Sequence, residues 1–267
     1  MVLHLPKRIK KRKRKKTRKS REEEMIDIHN HIIPNIDDGS DSMGLSRQLL
    51  EGAIEEGITD ICITPHFMKH GPYKVRKKEL TKLFESFKKE NSDLDVNLYL
   101  GNELYIDREL DELLRNDEIC TLNDSKYVLI EFPFETYKRE YDEYLYDVSL
   151  RYQIIIAHPE RYHYVQKDHS FVNGWLKEGY VLQSNSTSLY NRESKKVIYD
   201  LIEKGKLSFI ASDAHNEYRP LSLIIAYDEI SRKFSEETAQ LLMKTNPLKV
   251  IQNKSINKVP AIKKRFF

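Results

Sequence analysis

The feature that most limits the fold is a series of seven short apolar runs, separated mostly by segments of helical pattern. The runs cover residues 26–29, 58–64, 96–100, 127–132, 153–157, 180–183 and 207–211. Strands that alternate with helices pair in parallel, and seven or eight such units favour a closed or nearly closed barrel. An open doubly wound sheet is the alternative, although no glycine-rich phosphate loop follows the first run.

Segments with helical periodicity occupy the intervals between the runs. In residues 41–56, leucines recur at helical spacing, with Ser40 or Asp41 as the cap and Gly57 as the stop. Similar patterns cover residues 76–90, 138–151, 170–178, 191–204 and 219–245. No repeat or linker interrupts the alternation, so a single α/β domain is predicted over residues 25–253.

The composition is that of a globular protein from a reducing compartment. The 267 residues, 39% hydrophobic and 33% charged, are enough for one sizeable core. Cys62 and Cys120 give no disulfide framework. No apolar run approaches the roughly 18 residues of a membrane span, and the start carries no apolar signal-peptide core. We therefore expect a cytoplasmic protein.

The two ends of the chain differ in composition from its centre. Most of the positive excess behind the net charge of +3 lies in residues 7–21, KRIKKRKRKKTRKSR. We expect residues 1–24 to be a basic, disordered extension. One interpretation is an arm that binds nucleic acid or an anionic membrane. The favoured interpretation is that the biological protein starts at Met25, because the three preceding glutamates are what a translated purine-rich ribosome-binding site would encode. Residues 254–267 are expected to form a flexible basic and aromatic tail.

Polar side chains that can bind metal follow most of the runs. They are His29, His31, Asp37, Asp38, His66, Glu103, Glu131, His158, Gln183, Asn185, Asp213 and His215. In a parallel barrel the C-terminal ends of the strands meet on one face, where active sites lie. Each residue alone has an ordinary explanation, such as a hydrogen-bonded histidine or a turn formed by the aspartates before Gly39. Four histidine-bearing ends and three acidic ends on one face favour a functional site instead.

The mixture of ligand types predicts a metal centre. His29 and His31 are one residue apart at strand spacing, so their imidazoles face the same side. Imidazole with carboxylate suits Mn, Fe or Zn better than Ca or Mg, and this many ligands implies two or three clustered ions. Such a cluster serves hydrolysis at phosphorus. Arg161 and Arg219 follow ligand motifs closely and match phosphate geometry, with surface salt bridging as the alternative.

Five motifs in order resemble the polymerase and histidinol phosphatase (PHP) superfamily: HNH with DDG, TPH, GNE, HPER and SDAH. Within it, MIDIHNHIIPNIDDGS, LNDSKYVLIEFPF, IIAHPERY and FIASDAHN resemble the capsule-type manganese-dependent protein tyrosine phosphatases of the CpsB, CapC and YwqE type. The resemblance extends from Met25 to about Asn253. It implies a distorted (β/α)7 barrel of the PHP fold with two or three Mn²⁺ ions, and with Fe or Zn as alternative metals.

The resemblance also implies a role for each matching residue. The implied ligands are His29, His31, Asp213 and a bridging Glu103 for the first metal, Glu131 and His158 for the second, and Asp38, His66 and His215 for the third. The implied catalytic residues are Arg161 and Arg219, which contact the phosphate, and His66 and His215, which are candidate general acids. Asp38 is preferred to Asp37 because the second aspartate before glycine matches the family. Hydrolysis would be direct, since Cys120 is followed by TLNDSK, which lacks the arginine of a cysteine-based phosphatase loop.

The resemblance implies a protein tyrosine phosphatase acting on the phosphorylated C-terminal tyrosine cluster of a bacterial tyrosine kinase that controls capsule or exopolysaccharide synthesis. The kinase would recruit the cytoplasmic enzyme to the membrane. No nucleic acid is expected to bind the core, and a homo-oligomer is left open. Tyr73, Tyr105 and Tyr137 lie near strand ends and are candidates for lining a substrate groove.

Three other functions are weighed against this one. A PHP phosphoesterase for a small molecule such as histidinol phosphate, or a nuclease of that superfamily, would share the metals and differ in the rim loops. A metal amidohydrolase also opens with HxH on the first strand, but it usually lacks an acidic residue on the third strand and an SDAH pair. A non-catalytic binding module, in which the basic extension matters most, would carry metal poorly and hydrolyse nothing.

Overall fold

The computed structural model describes residues 24–262, so most of the predicted extension and residues 263–267 of the predicted tail lie outside the described residues. The strands are β1 (Met25–Asp27), β2 (Ile58–Ile63), β3 (His66–Phe67), β4 (Asn97–Leu100), β5 (Glu103–Tyr105), β6 (Tyr127–Glu131), β7 (Gln153–Ala157), β8 (Val181–Asn185) and β9 (Phe209–Ala211). Each of the seven predicted runs overlaps a strand. The runs do not predict β3 and β5, which are short strands following β2 and β4.

Helices occupy the intervals between strands. They are α1 (Met43–Glu56), α2 (Lys77–Glu90), α3 (Leu110–Arg115), α4 (Glu140–Ser149), α5 (His163–Lys167), α6 (Val172–Lys177), α7 (Arg192–Glu203), α8 (Ile224–Lys233), α9 (Glu236–Gln240) and α10 (Asn246–Ile251), with a π-helix over Leu241–Thr245. Ser42, rather than Ser40 or Asp41, caps α1, and Gly57 ends it with a φ of 95° as predicted. Among the described residues, no helix has the length and apolar character needed to cross a membrane.

The strands form two parallel sheets that follow one another around a barrel. The first has the order β1-β2-β4 and the second the order β3-β5-β6-β7-β8-β9. Two-residue interruptions separate β2 from β3 and β4 from β5. A parallel bridge between Asn30 and Ala214 joins the chain after β1 to the chain after β9. The circuit is the predicted (β/α)7 barrel, with its second and third strands each interrupted once.

The side chains that point into the barrel are apolar at its floor and polar at its mouth. Leu129 and Glu131 of β6 point the same way because they are two residues apart, and Leu129 packs in the inner apolar cluster. Phe209 and Ala211 of β9 belong to the same cluster, and Asp213 comes two residues later. The same strands therefore bury apolar side chains in the lumen and carry polar side chains to its mouth.

The inner cluster is closed by α10 and the segment after it. Val250 and Ile251 of α10 pack in the cluster. The Tyr127 hydroxyl donates to the Lys254 carbonyl at 2.7 Å, and the Ile262 N–H donates to the last carbonyl of α7 at 2.9 Å. This part of the chain makes specific contacts with the barrel, and the domain boundary at residue 253 stays a prediction.

Candidate metal centre

All nine residues predicted to bind metal lie in one connected cluster at the mouth of the barrel. Their donor atoms form four overlapping groups, in each of which the atoms lie within 4.8 Å of one another. The groups are His29, His31 and Asp213; His29, Glu103 and His158; His66, Glu103 and Glu131; and His31, Asp38, His66 and His215. The first group contains three of the four ligands expected for the first metal, without the bridging Glu103, and the last group contains the ligands expected for the third metal. The structure therefore brings together residues that lie far apart in the sequence.

Two of these residues leave their strands in a left-handed conformation. His158 follows β7 with a φ of 30°, and Asp213 follows β9 with a φ of 51°. Residues other than glycine rarely adopt such angles, which cost on the order of 1–3 kcal/mol each. Strain of this kind persists where the surrounding structure imposes it, and it is concentrated at functional sites.

The DDG turn packs against the backbone of His31. A Cβ atom at Gly39 would lie 1.9 Å from the His31 carbonyl oxygen, so a larger residue does not fit. The Ser40 N–H donates to that carbonyl at 2.9 Å. The two aspartates of the turn consequently differ in exposure, since the Asp37 side chain is fully buried and the Asp38 side chain is 51% exposed at the mouth.

Hydrogen bonds orient His29 and His31 so that their Nε2 atoms face one another. His31 donates from Nδ1 to Asp37 at 2.7 Å, and Nδ1 of His29 lies 2.8 Å from the side-chain oxygen of Gln183. The two Nε2 atoms are 3.3 Å apart, and each is 3.2 Å from Oε2 of Glu103. In the neutral rings with the proton on Nδ1, each Nε2 carries a lone pair, so two nitrogen acceptors then face Oε2 of Glu103.

Glu103 lies at the centre of the cluster. Its Oε2 is also 3.1 Å from Nδ1 of His66, and its Oε1 is 2.9 Å from Nε2 of His158. Oε2 is buried and has no hydrogen-bond partner among the described residues. Burial acts to raise the pKa of this carboxyl, but the nearby His29 and His66 outweigh burial and hold the pKa well below its usual range. A buried, ionised carboxylate with an unpartnered oxygen is suited to bridging cations.

Burial affects Glu131 and His158 in opposite senses. Burial and the negative charge of Glu103 raise the pKa of Glu131 well above its usual range. Burial and the Arg161 guanidinium lower the pKa of His158 to about 4. Both shifts favour the neutral side chain. A divalent cation would favour ionised Glu131 by offsetting the charge of Glu103, and neutral His158 has a lone pair to offer the same ion.

The outermost part of the cluster consists of Asp38, His66 and His215. Oδ1 of Asp38 is 3.5 Å from Nε2 of His66 and 3.6 Å from Nε2 of His215. His215 donates from Nδ1 to the Asp213 carbonyl at 3.0 Å, so its Nε2 keeps a lone pair directed toward Asp38. Both histidines therefore present nitrogen atoms to the carboxylate, as ligands of a shared ion would.

Arg161 and Arg219 meet at Asp213. Arg161 donates to Oδ2 of Asp213 at 2.9 Å, and Arg219 donates to the same oxygen. Oδ1 is left 3.5 Å from each Nε2 of the first histidine pair. The Arg161 guanidinium also lies 4.6 Å from the centroid of the Phe134 ring, a cation–π contact that holds it in place. Both arginines predicted to contact phosphate thus lie beside the metal cluster.

A cavity of about 350 Å³ opens over the cluster. Its polar side includes ligand residues, Glu135 and both arginines, and its apolar side includes Met68, Tyr105, Pro133 and Phe134. Such a combination of a few convergent polar groups with an apolar wall is typical of a ligand site.

The three tyrosines predicted to line a substrate groove have different positions. Tyr105 lines the cavity, and Tyr73 stacks on His66 with ring centroids 5.7 Å apart. Tyr137 lies away from this cavity, because its ring packs against Trp175 at 5.7 Å and lines a separate surface cavity, so its part in a substrate groove stays a prediction.

The family described as "Capsular polysaccharide synthesis, CpsB/CapC" matches residues 25–252. The chain belongs to the CpsB/CapC family. This match confirms the resemblance to the CpsB, CapC and YwqE type that the longer stretches such as IIAHPERY and FIASDAHN indicated.

Relatives of the CpsB/CapC chain match it over most of its length. The tyrosine-protein phosphatase YwqE of Bacillus subtilis is 31% identical over 243 residues, 88% of this chain and 95% of that protein. The tyrosine-protein phosphatase CpsB of Streptococcus pneumoniae is 32% identical over 246 residues, 87% of this chain and 100% of that protein. Crystal structures of these two proteins describe them as unique metal-dependent tyrosine phosphatases. The structure from that work that matches this chain has a TM-score of 0.83 at 31% identity and covers 90% of this chain and 100% of that one.

A more distant neighbour shares the fold alone. The phosphotriesterase homology protein of Escherichia coli is 12% identical, with a TM-score of 0.58 over 86% of this chain and 99% of that one.

The donor set of this CpsB/CapC chain fits the metal that the family implies. Besides Oε2 of Glu103, the Nδ1 atoms of His66 and His158 are buried without a hydrogen-bond partner among residues 24–262. Leaving a buried polar atom unpaired costs about 1–3 kcal/mol, and a cation is a partner that lone pairs can share. Imidazole and carboxylate donors together suit Mn, Fe or Zn.

Sequence reasoning leaves out the residues that orient the ligands. Asp37 is not a proposed ligand, since Asp38 is preferred. Its carboxylate nevertheless accepts hydrogen bonds from Nδ1 of His31 and from the His66 N–H, the latter at 2.9 Å. Metal-binding histidines commonly donate their second N–H to a carboxylate, so a second aspartate in the DDG motif is a usable signal. Phe134, which supports Arg161, has no comparable signal in the sequence.

Proposed function

We propose that the protein is a metal-dependent protein tyrosine phosphatase that hydrolyses phosphotyrosine on a bacterial tyrosine kinase and so regulates capsule or exopolysaccharide synthesis. The observation that carries the proposal is the meeting of buried metal donors, two guanidinium groups and an apolar wall around one cavity. The names of the relatives YwqE and CpsB as tyrosine-protein phosphatases support it.

The proposed metal ligands are those implied by the motifs. They are His29, His31, Asp213 and the bridging Glu103, then Glu131 and His158, and then Asp38, His66 and His215. We propose Mn²⁺ as the metal, because mixed imidazole and carboxylate donors suit it. Bound ions would supply Lewis acidity to the phosphoryl oxygens and to the attacking water.

The arginines are proposed to bind the phosphoryl group. A phosphate offers several oxygens to a guanidinium fork, and Arg161 and Arg219 already converge on a carboxylate oxygen of Asp213. Phe134 lies against the Arg161 guanidinium, so the charge is positioned before substrate arrives. Positioned donors of this kind stabilise charge that develops on the phosphoryl oxygens without further reorganisation.

The apolar wall is proposed to receive the tyrosine ring of the substrate. Tyr105 and Phe134 line the cavity together with Met68. A phenol has a pKa of about 10, so its departure requires only modest protonation. His66 and His215 are the candidate acids, but both present Nε2 to Asp38, and we therefore assign them as ligands and the proton to solvent water.

A covalent phosphocysteine has no suitable nucleophile among the two cysteines. Cys62 and Cys120 are both buried, and burial raises the pKa of Cys120 to about 12. A neutral, buried thiol does not attack phosphorus at neutral pH, because the thiolate is the nucleophile. Direct attack by water is the proposed route.

The proposed substrate is the phosphorylated C-terminal tyrosine cluster of the kinase. A membrane-bound kinase would draw the phosphatase from the cytoplasm to the membrane surface. The apolar wall supplies the contact for each tyrosine ring, and the cluster would be dephosphorylated one residue at a time.

The deciding experiment combines metal analysis of the purified protein with hydrolysis of three substrates. These are a phosphotyrosine peptide, a phosphoserine peptide of the same sequence, and histidinol phosphate. We expect bound transition metal and a kcat/KM for the phosphotyrosine peptide at least about 100-fold above the other two, about 2.7 kcal/mol of differential transition-state binding. A preference for histidinol phosphate would favour the small-molecule phosphatase, and a metal-poor protein without activity would favour a binding module.

A further inference from the structure

Gln183 and Asn185, the polar residues at the end of β8, are outside the proposed ligand set, yet both are buried beside it. Oε1 of Gln183 lies 2.8 Å from Nδ1 of His29, and Nε2 of Gln183 lies 3.0 Å from Oδ1 of Asn185. Nδ2 of Asn185 lies 2.5 Å from Oδ2 of Asp213. Because side chains two apart on a strand face the same side, β8 places two amides in line between His29 and Asp213.

The direction of every hydrogen bond in this line is set from the Asp213 end. Asp213 lies against two guanidinium groups, so its side chain is a carboxylate, which only accepts. Asn185 must then donate to Asp213 and accept at Oδ1, and Gln183 must donate to Asn185 and accept at Oε1. A neutral His29 consequently carries its proton on Nδ1, and its Nε2 keeps the lone pair that faces Glu103.

We propose that Gln183 and Asn185 form an amide relay through which Asp213 fixes the tautomer of His29. Two ligands of one proposed metal are then oriented by a single hydrogen-bonded line. Neither amide is a ligand, and both are positioning residues. The inference rests on the proposed metal assignment of His29 and Asp213 and not on the identity of the substrate.

A comparison with His31 shows what an amide relay contributes. His31 obtains the same tautomer from a direct bond to the Asp37 carboxylate at 2.7 Å. A second carboxylate beside His29 would add negative charge to a buried region that already contains Glu103, Glu131 and Asp213. Amides donate and accept without net charge, so the relay orients His29 with no additional like-charge repulsion.

The relay is also anchored at its Asn185 end. The Asn185 N–H donates to Oε1 of Glu160 at 2.9 Å, and Glu160 is fully buried behind the strand. The backbone position from which the Asn185 amide reaches Asp213 is thereby held, and Gln183 lies two residues before it on the same strand.

The first test measures the tautomer of His29 by NMR of protein labelled with ¹⁵N in its histidine rings. Burial acts to lower the pKa of His29, but Glu103 and Asp213 outweigh burial and raise it above its ordinary value. Spectra of metal-free protein are therefore followed upward from about pH 9 until the ring is neutral. We expect the His29 proton on Nδ1 in the natural protein. In Asn185→Leu, Gln183 is free to reverse, and the proton should shift toward Nε2, where Glu103 accepts it.

The matched control for this measurement is Ser184→Ala, a buried position on β8 between the two amides, which should leave the tautomer unchanged. Asn185 makes no hydrogen bond to His29, so a local structural role does not predict the shift. A proton on Nε2 in the natural protein, or an unchanged tautomer in Asn185→Leu, overturns the relay. The measurement on the natural protein decides the question even where a variant fails to fold.

The second test measures Zn²⁺ affinity by competition with a chromogenic chelator. Gln183→Leu and Asn185→Leu should each weaken binding about 10- to 100-fold, and the double variant should be no weaker than the weaker single variant, because both break the same line. Gln183→Glu keeps an acceptor for His29 but cannot donate to Asn185, so it should weaken binding too. Additive losses, or natural affinity in Gln183→Glu, would show separate local roles. Neither test uses phosphatase activity, so failure of the relay is distinguishable from failure of the proposed function.

Discussion

Two cavities formed by residues 24–262 differ in size and in chemistry, and the larger one is not the one lined by the metal-binding side chains. The cavity over the metal cluster has a volume of about 350 Å³, whereas a surface cavity between α4 and α6 has about 610 Å³. The larger cavity, which we call the aromatic groove, is lined by Tyr137, Arg139, Asp142, Tyr146, Phe171, Gly174, Trp175, Glu178 and Tyr180. Volume and aromatic lining alone would make it the better binding site.

The difference between the cavities lies in whether their polar groups are satisfied. In the aromatic groove the Tyr137 hydroxyl donates to Asp142 at 2.8 Å and accepts from Trp175 Nε1 at 3.3 Å. In the metal cluster, Oε2 of Glu103 and Nδ1 of His66 are buried and 3.1 Å apart, yet neither makes a hydrogen bond within the described part of the chain. Native proteins rarely leave such atoms unpaired, so these atoms indicate a missing partner. Unsatisfied donors and acceptors, rather than empty space, identify the functional cavity.

The largest expected effect is loss of a central ligand. Glu103→Ala or His29→Ala should lower kcat for a phosphotyrosine peptide by at least about 10³-fold, because the bridging carboxylate or an imidazole ligand is removed, while the fold is largely kept. Steady-state kinetics measure kcat, metal analysis measures the bound metal, and circular dichroism measures whether the fold is kept. Full activity in either variant would contradict the metal assignment. It would also remove the reason to regard the cavity over the metal cluster, and not the aromatic groove, as the functional one.

The next effect comes from removing the metal itself. Chelation should abolish hydrolysis, and Mn²⁺ should restore it better than Mg²⁺, since imidazole-rich sites disfavour Mg²⁺. Activity is measured after dialysis against chelator and titration with each ion. An enzyme that is insensitive to chelation would count against the whole proposal, and equal restoration by Mg²⁺ would count against the proposed metal.

A smaller loss is expected when a residue that orients a ligand is changed. Asp37→Asn replaces an oxygen that accepts from both His31 and the His66 N–H, and it should weaken metal affinity about 10- to 100-fold. Chelator competition measures the affinity. Ser42→Ala, which removes only the cap of α1 nearby, is the control. Unchanged metal affinity in Asp37→Asn would mean that the Asp37 carboxylate stabilises only the DDG turn and does not orient His31.

Arg161→Lys tests the phosphate contact. Lysine keeps the charge but loses the planar fork and its stacking on Phe134, so kcat/KM for a phosphotyrosine peptide should fall by about 10-fold or more. Metal content should stay the same, which separates this effect from loss of a ligand. A variant with natural kinetics would show that the guanidinium only pairs with Asp213.

These contrasts show which parts of the molecule sequence reasoning reaches. The strand ends are predictable because strand period and parallel pairing place residues such as Glu131 and Asp213 on one face whatever the detailed packing. The interruptions that create β3 and β5 are not predictable from the sequence, because they depend on the local register of the strands within the barrel. The position of Tyr137 in the aromatic groove is not predictable for a similar reason, since it depends on how the chain before α4 packs on Trp175.

The smallest effect should come from the aromatic groove. Tyr146→Ala truncates a side chain that is 57% exposed, so the free energy of unfolding should change by no more than about 0.5 kcal/mol and kcat/KM should stay within about twofold. Denaturant titration and peptide kinetics measure both. A tenfold fall in kcat/KM for a long phosphopeptide, without one for a small aryl phosphate, would show that the groove binds the substrate beyond its phosphotyrosine. The two cavities would then be a catalytic site over the metal cluster and a substrate-docking site in the aromatic groove, rather than one functional cavity and one without a function.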